Sequence, residues 1–219
     1  MLTKNHEKLT SEVKAHVAAD AVRAGRYWRP NHNDVGGIGC FIGCLAHSND
    51  ASKLGDLYGL PLPLVEIAEN IFEALPKDEG VKFFADIPDA VGRDGKDLTR
   101  IHWAFLAAEL RALPEVMAEA KSAVDAVIVG MDILANGGEW DKDAAAAAAA
   151  AAHAAHAARA AYAAAAAAAG AGADAASYAA GAHAGDAAGY ARAGYAHAAA
   201  AACRTRQAAT LLRLIGEAK

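Results

Sequence analysis

An alanine-rich block near the C-terminus constrains the fold of this chain more than any other sequence feature. Between Ala144 and Ala202, 40 of 59 positions are alanine and only four carry a formal charge. Alanine has the highest helix propensity of all residues, but its side chain buries little apolar surface. The block therefore predicts long helices with little core of their own. Any large apolar core must come from the residues on either side of the block.

Helix-breaking residues within the block predict two antiparallel helices. Asp141 or Asp143 can cap the first helix, and Gly170-Ala171-Gly172 interrupts it. Asp174 then stands where the second helix needs its N-cap. We expect the block to form a helical hairpin, which offers a surface for homo-oligomerisation.

The rest of the chain also has the pattern of helices. Apolar residues recur every three or four positions, and no stretch alternates as a β-strand does. The prediction is an all-α protein, with a compact helical domain over residues 1–139 and the Ala-rich antiparallel hairpin over residues 140–219. The apolar residues near the C-terminus are expected to pack back on the first domain: Leu211, Leu212, Leu214 and Ile215.

Capping residues, prolines and glycines set the expected bounds of the helices before the block. The stretch from Lys77 to Asp97 is predicted to be turn-rich, with one or two helical turns around Val81–Asp86. The remaining predicted helices run from Thr10 or Ser11 to Ala24, from Cys40 to Ser52, from Pro61 or Pro63 to Leu75, from Asp97 or Thr99 to Leu113, and from Pro114 to Asn136.

Charge and cysteine content limit the partners and the compartment. The formal net charge is −5, and residues 1–143 alone carry −8, which argues against a nucleic-acid partner because duplex binding depends on neutralising phosphates. Three cysteines do not make a disulfide framework, so we expect a cytoplasmic protein. The N-terminus has no apolar signal segment, and charged residues interrupt the alanine block, which argues against a membrane.

The segment from Gly36 to Asp50 has the most suggestive chemistry. If a helix begins near Cys40, then Cys40, Cys44 and His47 lie on one helix face at spacings of four and seven residues. In one interpretation a cysteine is a reactive thiol whose pKa the helix N-terminus lowers, and His47 is its base. The glycines before it could expose backbone N–H groups to an anion.

Two other interpretations of the same segment stay open. Cys40, Cys44 and His47 could bind a metal such as zinc, with His32 or Asp50 completing the ligands, although the spacing differs from that of structural zinc modules. Alternatively both cysteines are small apolar core residues, and the glycines allow close packing.

Residues around this segment could bind a ligand. An aromatic and polar loop precedes the glycines, and candidate ligand-binding residues are Tyr27, Trp28, His32, Gly37, Gly39, Gly43 and Asp50. Three carboxylates on one predicted helix, Glu66, Glu69 and Glu73, could take part in acid–base chemistry or metal binding, or could form a solvated face.

The run from Gly36 to Pro76 resembles a family of uncharacterised bacterial and phage-encoded proteins. The shared features are a G-x-G-C-x-x-G-C-x-x-H segment, a Tyr-Gly-Leu-Pro turn at 58–61, and a helix that ends Ile-Phe-Glu-Ala-Leu-Pro at 71–76. Leu60 stands where that family has isoleucine. Alanine-rich C-terminal helices are also typical of the family. The resemblance implies that residues 36–76 form one unit, and it implies no activity.

These observations lead to one leading functional hypothesis and two alternatives. We expect a cytoplasmic small-ligand-binding protein or thiol-dependent enzyme, with Cys40, Cys44 and His47 at its site. One alternative is a non-catalytic interaction or oligomerisation module whose cysteines are core residues and whose partner is another protein. The other is a metal-binding protein that uses cysteine and histidine ligands, with zinc as the candidate ion.

Overall fold

A computed structural model describes residues 1–26, 28–30, 37–112, 118–144, 146–147 and 202–219. The fold is all-α, as predicted, and these residues form no strand or sheet. Seven helices are α1 (His6–Ala18), α2 (Phe41–Ala46), α3 (Lys53–Tyr58), α4 (Leu62–Ala74), α5 (Lys77–Val91), α6 (Ile101–Arg111) and α7 (Ala118–Ala135). Further helical residues are 142–144, 146–147 and 202–217, and the last of these segments is called the C-terminal helix.

An aromatic cluster forms the centre of the core. Phe41 of α2 lies within 6.3 Å, between ring centroids, of Phe72 of α4 and of both Phe83 and Phe84 of α5. All four rings are almost completely buried. Phe41 is the first residue of α2, so burial of its ring fixes where that short helix begins and which way it faces.

Helix α5 is much longer than the one or two turns predicted around residues 81–86. It has 15 residues in spite of Gly80 and of Pro88 within its last turn. Phe83, Phe84 and Ile87 lie on its buried face, and that burial outweighs the low helix propensity of glycine and proline. The expectation of a turn-rich stretch was therefore wrong.

The C-terminal helix packs on the core that α1–α6 form, as predicted for its apolar residues. Leu211 and Ile215 are fully buried and belong to the same core as the aromatic cluster. The side chain of Lys96 donates hydrogen bonds to the carbonyl oxygens of Ile215 and Gly216, both at 2.9 Å. Arg206 pairs with Glu109 of α6 through two hydrogen bonds of 2.9 Å.

Residues 19–26 and 37–40, which lie between α1 and α2, position the site described below. The prediction extended α1 to Ala24, but the helix ends at Ala18 and Asp20 adopts a left-handed conformation, with φ 49°. Beyond it, Val22 is buried and pairs in extended conformation with Gly39. Pairing with the chain just before α2 therefore replaces the last turns of the predicted helix.

The predicted hairpin lies mostly outside the described residues, and so does the Gly170–Asp174 turn. The division into domains at residue 139 stays a prediction. Among the described helices, none is long and apolar enough to cross a membrane.

Candidate functional site

Helix α2 is shorter than predicted, and this changes the relation of Cys40, Cys44 and His47. The helix ends at Ala46, and His47 adopts a left-handed conformation with φ 49° and ψ 35°. The prediction that the three side chains share one helix face was wrong, because His47 is beyond the last helical residue. Its side chain is half exposed, whereas Cys44 is completely buried in the core.

The environment of both cysteines opposes thiolate formation. Burial raises the pKa of Cys44 to about 12, and its Sγ lies 3.3 Å from the carbonyl oxygen of Gly39. Burial and a hydrogen bond to the Glu69 carboxylate raise the pKa of Cys40 to about 12. The expectation that a helix N-terminus lowers the pKa of these thiols was wrong, since desolvation of the charged form dominates at both positions.

At the N-terminal end of α2, Cys40 meets two carboxylates of α4. The ligand atoms of Cys40, Glu69 and Glu73 all lie within 4.8 Å of one another, and we call this group the cysteine cluster. Glu69 accepts a hydrogen bond of 3.2 Å from the backbone N–H of Ile42, and Glu73 accepts one of 2.5 Å from that of Gly25. Both carboxylates thus hold backbone segments in place. The third predicted carboxylate, Glu66, is exposed.

At the C-terminal end of α2, three side chains from two elements converge, and we call them the histidine cluster. Glu12 and His16 lie one turn apart on α1, and His47 follows α2. The Nε2 atoms of His16 and His47 are 3.1 Å apart. Glu12 Oε2 lies 3.3 Å from Nε2 of His47 and 3.8 Å from Nε2 of His16.

The electrostatics of the histidine cluster favour a neutral His16. Its side chain is 4% exposed, and burial is the largest cause that lowers its pKa. The neighbouring His47 lowers this pKa further, while Glu12 and a hydrogen bond to the backbone of Cys44 partly oppose the shift. At neutral pH His16 therefore presents an uncharged ring to the cluster.

Trp28 covers the histidine cluster from one side. Its ring stacks on His47, with centroids 4.8 Å apart and an interplanar angle of 9°, and it meets His16 edge-on at 5.9 Å. The backbone N–H of Trp28 donates a hydrogen bond of 2.7 Å to the side chain of Asn49. The predicted ligand-binding residue Trp28 is thus in contact with the two histidines.

The predicted glycines lie against Trp28. A Cβ added to Gly37 would come within 2.6 Å of the indole, one on Gly39 within 3.2 Å, and one on Gly43 within 3.4 Å of the Trp28 Cβ. At Gly37 and Gly39 the absence of a side chain lets the tryptophan approach the backbone, whereas a Cβ at Gly43 would make only an ordinary contact. In this structure Gly37 and Gly39 make room for an aromatic ring.

Asp50, also predicted to bind a ligand, lies apart from the histidine cluster. Asp50 is exposed and accepts hydrogen bonds from the backbone and hydroxyl of Ser52, just before α3. Tyr27 and His32 lie outside the described residues.

Sequence reasoning missed Glu12 and His16, which supply two of the three groups around His47. Their spacing of four residues on a helix does place both side chains on one face, and that signal was present. Nothing in the sequence pairs that face with a residue 31 positions later along the chain.

Comparisons of the sequence and the structure with known protein families, curated proteins and solved structures found no match. The resemblance of residues 36–76 to a phage and bacterial family therefore stays a prediction.

Proposed function

We propose that this protein binds a divalent transition-metal ion, with zinc as the best candidate, through Glu12, His16 and His47. The observation that carries the proposal is the spacing of the three ligand atoms, 3.1, 3.3 and 3.8 Å. Metal–ligand bonds of about 2.0–2.1 Å in a tetrahedral site place neighbouring ligand atoms about 3.3–3.4 Å apart. The three separations average close to that edge length.

The donor set also fits this class of ion. Two imidazole nitrogens and one carboxylate oxygen suit zinc and its neighbours better than calcium or magnesium, which prefer oxygen ligands. A histidine must be deprotonated to bind a metal, and burial keeps His16 neutral at physiological pH. The hydrogen bond of His16 to the Cys44 backbone is of the kind that orients metal-ligating histidines.

The exposure of the three side chains supports an open coordination position. His16 is 4% exposed, Glu12 26% and His47 48%, so the cluster opens to solvent on the His47 side. Zinc sites with three protein ligands leave the fourth position to water or to a small molecule. The proposed function is therefore metal-dependent binding of a small ligand. Neither cysteine takes part, which departs from the thiol and cysteine–histidine interpretations of the sequence.

A zinc titration of purified, chelator-treated protein tests this proposal. We expect one ion per chain by calorimetry, and with cobalt(II) the visible absorption of a four-coordinate site. Loss of an outer-shell partner costs about 10- to 100-fold in affinity, so Glu12→Gln and His16→Ala should each cost at least about 100-fold.

Matched control variants lie on the same helix. Glu7→Gln removes an exposed carboxylate from the first turn of α1, and His6→Gln removes a ring that contacts Pro88 instead. Both should bind zinc as the unchanged protein does, and far-UV circular dichroism verifies that all variants fold. Equal affinity of the His16→Ala and His6→Gln variants would contradict the proposal, as would the absence of stoichiometric binding.

A further inference from the structure

A cavity separate from the histidine cluster lies between the segment at residues 22–26 and the beginning of α5. Its volume is about 310 Å³, which is at the lower end of the range for small-molecule sites. Apolar side chains from α4 and α5 line one part of it, and basic side chains line the other. The six residues that matter are Phe72, Leu75, Val81, Arg23, Arg26 and Lys77.

The apolar part of the cavity is continuous with the protein core. Phe72 is 1% exposed and belongs to the aromatic cluster, and Leu75 is 7% exposed. Val81, on the second turn of α5, is half-buried and packs against the same core. A ligand with an apolar chain would therefore bury that chain against the edge of the core and remove it from water, which is favourable.

The three basic side chains differ in how they are paired. Arg23 pairs with Asp20 through two hydrogen bonds of 2.6 and 2.5 Å. Neither Arg26 nor Lys77 makes an ion pair within the part of the chain that the structure describes, although Lys77 is near enough to Asp20 to help lower the pKa of that carboxyl group.

The beginning of α5 adds to the positive potential at this rim. Lys77 is the first residue of the 15-residue helix, where the helix dipole disfavours a cation, and no side chain caps this terminus. Asp78 and Glu79 in the first turn, and Glu73 at the backbone N–H of Gly25, offset part of the field, but none of the three lines the cavity. A cation at an uncapped helix N-terminus beside a cavity is an arrangement that an anion would stabilise.

We propose that this cavity binds an amphipathic carboxylate, whose apolar chain contacts Phe72, Leu75 and Val81 and whose carboxylate lies between Arg26 and Lys77. Arg26 and Lys77 are the cationic groups that a single carboxylate would meet there. The cavity has an apolar floor on one side and basic side chains on the other, as such a ligand requires. This site shares no residue with the histidine cluster and does not depend on the metal.

Binding of octanoate, with octanol and octylamine as probes of the same chain length, tests the proposal. We expect calorimetry or ligand-observed NMR to detect octanoate at one site, with octanol at least about tenfold weaker and no binding of octylamine. Equal binding of octanol or octylamine would overturn the role of the basic rim, and no octanoate binding would overturn the proposal.

Three variants separate charge from cavity space. Arg26→Gln combined with Lys77→Gln removes the two exposed charges and should weaken octanoate binding at least about tenfold. Lys53→Gln, an exposed lysine on α3, is the matched control and should change nothing. Val81→Phe should fill the cavity and abolish octanoate binding. A cooperative thermal unfolding transition verifies that this variant is folded. Octanoate affinity unchanged by Val81→Phe or by the double variant would contradict this site, and zinc affinity should stay the same in all three.

Discussion

The cysteine cluster and the histidine cluster lie at the two ends of α2 and contain similar groups, but these groups have different partners. At the N-terminal end, the carboxylates of the cysteine cluster accept hydrogen bonds from the backbone of Ile42 and Gly25. At the C-terminal end, the ligand atoms of the histidine cluster face one another. Both sets of three donors could hold a metal by distance alone. The two clusters differ in their other partners. The carboxylates of Glu69 and Glu73 already accept hydrogen bonds from backbone N–H groups, so they hold the backbone in place.

Backbone conformation distinguishes the two ends as well. Cys40 lies in an extended conformation that any residue adopts, whereas His47 is in the left-handed region, which costs a non-glycine residue about 1–2 kcal/mol. Such strain persists where surrounding contacts hold it, and it is concentrated at functional positions. The stacking of Trp28 and the contact with His16 are the contacts that hold His47.

The largest expected effect concerns cysteine reactivity. With a pKa of about 12, Cys40 and Cys44 are ionised to only about one part in ten thousand at pH 8, against about a quarter for a free thiol of pKa 8.5. Alkylation of both in the folded protein should be on the order of a thousandfold slower than in denaturant. Mass spectrometry of iodoacetamide-treated peptides measures this. Alkylation of Cys40 at the unfolded rate would make the N-terminal end of α2 the reactive one.

The next effect concerns the contact of Trp28 with the glycines. Gly37→Ala would place a methyl group 2.3 Å from the backbone oxygen of Arg29 and 2.6 Å from the indole. Displacement of residues 28 and 29, and with them the Trp28 ring, should weaken zinc binding about tenfold, as loss of an outer-shell contact does. Gly43→Ala is the matched control, because its Cβ would meet Trp28 at an ordinary 3.4 Å. Equal zinc affinities of the two variants would show that Trp28 does not position His47.

Removal of an anchor at the other end should lower stability and leave metal binding intact. In Glu69→Ala the N–H of Ile42 and the thiol of Cys40 lose their acceptor, at a cost of about 1–3 kcal/mol in the free energy of unfolding. Urea unfolding measures that cost, and Glu66→Ala on the exposed face of α4 should stay within about 0.5 kcal/mol. If Glu69→Ala lowers zinc affinity as much as Glu12→Gln does, the two clusters do not differ in their relation to the metal.

The smallest effect compares two substitutions at His47. Both His47→Gly and His47→Ala remove the ring, and both should lose zinc binding. Only glycine adopts the left-handed conformation without strain, so His47→Gly should be more stable by about 1 kcal/mol. The urea concentrations at the unfolding midpoints of the two variants measure this difference in stability. If alanine is as stable as glycine, the backbone at His47 is not strained.

Helix patterning predicted the fold class and much of the core. The helix predicted from Pro61 or Pro63 to Leu75 corresponds to α4, and Leu211 and Ile215 pack on the core of the helices that precede them, as expected. The pattern failed at α5, where a turn-rich stretch was predicted from Lys77 to Asp97. It failed there because burial of Phe83 and Phe84 depends on neighbours that local propensity does not describe.

The residues predicted for the site include two that meet in the structure and omit two members of the histidine cluster. His47 and Trp28 were singled out and do meet, but His47 was assigned to a helix that ends before it. The two cysteines were the more conspicuous residues, and both have raised pKa values because of burial, which no spacing reveals. Glu12 and His16 were overlooked because their partner comes from another element.

By itself the sequence determined that the chain is helical and which residues could supply a core, and it indicated the residues around α2 as candidates for chemistry. Periodicity and propensity are local properties, and a chain carries them before it folds. Only the tertiary structure decided which donors meet. The packing of α1 beside α2 brings Nε2 of His16 within 3.1 Å of Nε2 of His47. The thiol of Cys40 is hydrogen-bonded to Glu69 of α4. Distances between residues far apart in sequence, and the burial that shifts a pKa, exist only once the helices have packed.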